Sequence, residues 1–76
     1  MKNSPTLAKI DKFRRDELKQ LLAQCTEKQH HTFRLMYSHK DLEKPINDVV
    51  DDMPAEKIDW AICQTETTVI NNANRL

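Results

Sequence analysis

Apolar residues recur along this chain three or four positions apart, the interval of one helical face, and they fall into four stretches. Leu7, Ile10, Leu18, Leu21, Leu22 and Cys25 share a face and predict a first helix over about 5–24. Ser4 reads as its N-cap, with Pro5 at the first helical position, where the missing N–H costs nothing. Phe13 lies at the edge of this stripe. Arg14 falls inside it, so its guanidinium must reach the rim or find a carboxylate while its stem packs on the core. Thr26 and Gln29 have the spacing of a capping box, which predicts a second helix over 26–37 with Phe33, Met36 and Tyr37 on its apolar face and His30 one turn earlier.

The polar run from Ser38 to Lys44 reads as a connection. Pro45 then opens a short helix over 45–52 whose buried positions are Ile46, Val49, Val50 and Met53. Pro54 limits that helix, because the residue before a proline is pushed away from α geometry, and it opens a fourth over 54–70. Ile58, Ala61, Ile62, Thr65 and Val69 form the inner stripe of this last helix, and Asn71, Asn72 and Asn74 are expected to let it fray. The pattern predicts a single all-α domain, a compact bundle of about four helices. Its stripes are too short for a long coiled coil.

Composition sharpens this picture. The 76 residues contain no glycine, which disfavours hairpins, bulges and phosphate-cradling loops, all of which need cheap positive φ. At this length a core buries only a modest share of the chain's surface, so association with a second copy is an expectation in its own right. Twelve basic and twelve acidic side chains cancel, but unevenly along the chain. Residues 1–38 hold eight Lys/Arg and four Asp/Glu, and residues 39–76 hold four and eight. The simplest expectation is that the two halves neutralise each other across helix contacts. No apolar leader or bilayer-length stretch stands out, so Cys25 and Cys63 are expected as reduced thiols in the cytosol.

Candidate chemistry is sparse. Cys25, His30, His31, His39 and Cys63 lack the close ordered pairs of a structural zinc site, so no metal is expected. The acids Asp48, Asp51, Asp52, Glu56 and Asp59 lack the alternation and glycine turn of a calcium loop and read as solvated helix surface, or as an acidic contact patch. A nucleophile would need a positioned base and an oxyanion site, usually at a glycine-assisted turn. No catalytic residue and no cofactor are therefore expected. Lys9, Lys12, Arg14, Arg15 and Lys19 give the first helix a basic character that would suit a nucleic acid. The acidic Glu56, Asp59 and Glu66 after Pro54 argue against a recognition helix there.

Trp60 lies nearly opposite the inner stripe of the fourth helix. A tryptophan so placed is covered by a partner, covered by the 38–44 connection, or left in water, and tryptophan is enriched among interface anchors. Asp59, Glu56, Gln64 and Thr67 would surround it, so these five residues form the candidate partner-binding surface.

The stretch from Met36-Tyr37-Ser38-His39 through Pro45-Ile46-Asn47-Asp48-Val49-Val50, then Met53-Pro54 and Asp59-Trp60-Ala61, resembles a group of short uncharacterised helical proteins encoded by bacteriophages and prophages of enteric bacteria. Cys25-Thr26-Glu27 joins the resemblance. The group has no catalytic motif to carry over. What the resemblance implies is a setting in which small accessory proteins bind a host or phage protein and alter its activity. The expectation is a non-enzymatic protein acting by protein–protein contact, able to pair as a homodimer. The alternative is a nucleic-acid-associated regulator working through the basic first helix.

Overall fold

The computed structural model describes residues 4–39 and 41–75, with side chains from Ala8 onward. Its four helices are α1 (Ser4–Leu22), α2 (Glu27–Tyr37), α3 (Ile46–Asp52) and α4 (Ala55–Asn74). Among the described residues there is no strand. The all-α bundle is as the hydrophobic periodicity requires.

Local chemistry explains most helix ends. Thr26 caps α2 with a full capping box: its Oγ1 accepts from the Gln29 N–H at 3.2 Å, and Gln29 Oε1 accepts from the Thr26 N–H at 2.9 Å. Pro45 and Pro54 each sit one position outside the helix they open, in extended geometry, rather than within it. Met53, before Pro54, is extended as that proline demands and ends α3. His39 follows α2 with φ 54°, the left-handed conformation that glycine usually supplies after a helix. In a chain without glycine, a histidine fills that role at some cost in strain.

The core is formed by Leu18 and Leu22 of α1, Phe33 of α2, Val49, Val50 and Met53 around α3, and Ile58, Ala61 and Ile62 of α4. Leu21, Tyr37 and Ile46 pack against it from the half-buried margin. Two polar residues are buried with it, Ser38 and Thr65. The Ser38 hydroxyl lies 2.7 Å from the Arg34 carbonyl and 2.8 Å from that of Asp41, so the group is satisfied while it anchors the turn after α2.

Ion pairs and hydrogen bonds set the helix directions. Arg14 pairs with Asp59, and further along both helices Leu22 and Thr65 border one groove, so α1 and α4 run the same way. Gln29 of α2 bonds Asn72 of α4, and Tyr37 bonds Gln64. A step forward along α2 is thus matched by an equal step back along α4, and those two helices are antiparallel.

Several expectations are corrected here. Ile10, expected on the inner face, does not join the core and is 46% exposed, and Phe13 at the stripe's edge is 69% exposed. Along the described side chains of α1, the first buried residue is Leu18. Met36 is 51% exposed, since only the Phe33 side of α2 meets the core. Ile46 and Val69 are half-buried rather than buried. α1 stops at Leu22, short of residue 24. α4 does not fray at its asparagines but continues through Asn74. The reason is the amide pair Gln29–Asn72, with Nε2 to Oδ1 at 3.0 Å and Nδ2 to Oε1 at 2.9 Å. The expected Ser4 cap and the burial of Leu7 concern side chains outside the described ones.

The uneven charge is neutralised across the fold. Arg14 pairs with Asp59 and Lys19 with Asp51, each bond joining the basic half to the acidic half. Arg15 is held by Asp11 at 2.8 Å and turns its Nη1 to the carbonyls of Val50 and Met53, at 2.7 and 2.8 Å. Those carbonyls lie at the C-terminal end of α3 and its cap, where Asp51 and Asp52 would otherwise add negative charge to a negative dipole end. Lys19 on Asp51 and Lys44 on Asp52 offset that charge. This arrangement explains how a seven-residue helix with two terminal acids persists.

Candidate interaction surface

Trp60 is 61% exposed on the outer side of α4. The described residues of the 38–44 connection leave it exposed. That segment instead turns toward α2 and α3, through Arg34 Nε donating to the Lys44 carbonyl at 2.7 Å and through the Lys44–Asp52 pair. Inward neighbours Ile58, Ala61 and Ile62 fix the rotation of α4, and that rotation forces Trp60 into solvent.

The other expected surface residues, Asp59, Glu56, Gln64 and Thr67, are all exposed on the same helix. They do not form one acidic patch. Asp59 is engaged by Arg14 at the α1 side. Gln64 and Thr67 lie at the α2 side, where Gln64 Oε1 accepts from the Tyr37 hydroxyl at 3.2 Å. Burial pushes the Tyr37 phenol above its ordinary pKa, so it remains a donor. Asp51, Asp52 and Asp59 are each matched by a cation, which leaves Glu56 as the acid of the candidate surface without an ion pair among the described residues.

Beside Gln64 and Thr67 an open groove of about 460 Å³ runs between α2 and α4, floored by Leu22, Phe33 and Thr65. Met36 and Cys25 also border it. The spacing of the sequence did not single out this groove, since it exists only because α2 and α4 diverge above the core. It also passed over Ile70, 58% exposed, which with the exposed Cys63 continues the outer face of α4 from Trp60. The signal was present as a second periodic row, Trp60, Cys63, Thr67 and Ile70, displaced from the inner one.

Several polar groups are tied into local hydrogen bonds. Cys25 is half-buried, its Sγ 3.5 Å from the Leu21 carbonyl, and burial pushes its thiol pKa up, away from the nucleophilic thiolate. The His30 ring donates through Nε2 to the Leu22 carbonyl, closing the α1–α2 corner. Thr32, Thr67 and Thr68 return their hydroxyls to carbonyls one turn back. Among the described residues, no three His, Cys, Asp or Glu side chains lie close enough to share a metal ion, and no helix is long and apolar enough to cross a membrane.

The basic face of α1 is mostly occupied. Lys12 pairs with Asp16, which hydrogen bonding holds below the usual carboxylate range, and Arg14, Arg15 and Lys19 have the partners given above. Lys9 alone of the five makes no ion pair among the described residues. Comparison of the chain with known protein families, with curated proteins and with solved structures finds no match, so the functional reading rests on the surface itself.

Proposed function

We propose that this protein carries out no chemistry of its own and acts by protein–protein contact, presenting the outer face of α4 to a partner. The observation that carries the reading is Trp60, 61% exposed on a helix whose orientation is fixed by core packing on the opposite side. Holding so large an apolar side chain in water is unfavourable, and covering it is favourable by about 2 kcal/mol or more. Rigid placement lowers the entropy lost on binding, which favours the same use. Gln64, Thr67 and Glu56 supply the polar rim, with Asp59 already held by Arg14. The setting proposed is that of a phage or prophage accessory protein that binds a host or phage protein inside the bacterial cytoplasm and modulates it.

Capture from a bacterial lysate by wild type and by Trp60→Ala tests the reading. The variant should retain wild-type helicity and stability to within about 0.5 kcal/mol, as expected for a surface position, while losing its partner. Unfolding of Trp60→Ala would place the indole in the core and remove the proposed surface. The internal pairing of the α1 cations weighs against the nucleic-acid alternative. A gel shift at low salt that weakens steeply as salt rises would revive it.

A further inference from the structure

We infer that the outer row of α4, Trp60, Cys63, Thr67 and Ile70, is a pairing seam for a second copy of this chain, with the two α4 helices side by side and parallel. The inference rests on the reading that the Trp60 face is a contact surface, and it names the occupant.

The row has alternating three- and four-residue spacing, the seam of a two-stranded helical pair. All four residues are exposed, Trp60 and Ile70 at 61% and 58%, while Ile58, Ala61, Ile62 and Thr65 of the same helix face the core. α4 is therefore apolar on two opposed sides, and only one is used within the chain. The row extends about 15 Å at 1.5 Å per residue. It contains no carboxylate, ammonium or guanidinium, although about a third of the chain is charged. Asn74 adds one further turn, and a single asparagine in such a seam favours two strands in register.

The flanks identify the partner. Asp59 and Glu66 lie along one side of the row, and Lys57, Gln64 and Asn71 along the other. A two-fold axis parallel to α4 brings the acidic flank of each copy to the amide flank of the other. Asp59, which Arg14 of its own chain already holds, then lies beside the second copy's Gln64, and Glu66 meets the second copy's Asn71. Gln64 has its oxygen occupied by Tyr37, which leaves its NH2 as the donor such a carboxylate needs. An antiparallel copy would instead set Glu66 against Glu66. One like-charge contact remains in the parallel pair. Glu56, one turn before the row on the same side of the helix, would face its own copy, so neutralising it should tighten the dimer.

A seam of this length covers less than the area of a standard interface, so the dimer should be weak and is to be sought at protein concentrations of about 10–1000 µM. Sedimentation of the full chain across that range should show reversible dimers. Ile70→Glu should weaken them at least about tenfold with unchanged helicity, since the position is exposed, and Glu56→Gln should tighten them a few-fold. In oxidised glutathione, Cys25→Ser should form a disulfide dimer and Cys63→Ser should not. A chain that stays monomeric at millimolar concentration would overturn the inference. So would a dimer indifferent to Ile70→Glu, cross-linking through Cys25 instead of Cys63, or tightening by Glu66→Gln in place of Glu56→Gln. A monomeric wild type that still captures a partner through Trp60 would sink the pairing and leave the functional reading standing. A Cys63-linked dimer that captures nothing through Trp60 would do the reverse.

Discussion

Arg15 donates through Nη1 to the carbonyl oxygen of Met53 at 2.8 Å, so one side chain of α1 closes the end of α3. The same nitrogen bonds the Val50 carbonyl at 2.7 Å, and Asp11 orients the guanidinium from one turn away. α3 has only seven residues and could not persist on its own. Its helicity is thus on loan from α1.

Arg15→Met retains most of the volume and removes the donors. It should destabilise the fold by about 1–3 kcal/mol, the worth of hydrogen bonds from a charged group. Hydrogen exchange should show α3 losing protection before α4, and urea unfolding would give the total. Arg15→Lys should rescue only part of the loss, because a point charge cannot satisfy Asp11 and two carbonyls together.

The amide pair Gln29–Asn72 holds the last turns of α4 against the first turn of α2. A double-mutant cycle with both residues changed to alanine should give a coupling of about 0.5–1.5 kcal/mol. Asn72→Ala alone should speed amide exchange after Val69 and leave the capping box intact. Gln29→Ala should cost more, since it also removes the acceptor for the Thr26 N–H.

His39 adopts φ 54° at the end of α2. Glycine reaches this conformation without the clash a Cβ imposes. His39→Gly should raise stability by about 0.5–1 kcal/mol despite the larger entropy of the unfolded glycine, and thermal unfolding would measure the gain. A loss of stability would show that the imidazole makes a compensating contact.

The two thiols should differ sharply. Cys63 is exposed, whereas Cys25 is half-buried with its pKa raised by burial. In dilute native protein, a thiol reagent should modify Cys63 at least about tenfold faster than Cys25. The raised Cys25 pKa also has a direction in stability. Its contribution is complete below the ordinary thiol pKa and is lost as pH rises through the folded value, because the unfolded chain gives up the proton first. Cys25→Ser should flatten the alkaline fall in stability.

The number, order and type of the helices were legible in the residues themselves. Thr26 with Gln29, Pro54 after Met53 and the intervals of Val49, Val50, Ile58 and Ile62 act over a turn or two, and a turn or two is what a sequence displays directly. Trp60 was legible as an outlier for the same reason, since its angle to the inner stripe follows from helical pitch. The destination of Ile10 and Met36 was not. Their spacing marks a face, but only the lengths and crossing of neighbouring helices decide how much of that face is covered. The pairing of Arg14 with Asp59, the closure of α3 by Arg15 and the extension of α4 by Gln29 likewise join residues far apart in the chain. Periodicity specifies which side of a helix seeks company. Which company it finds depends on distances that exist only once the helices have packed.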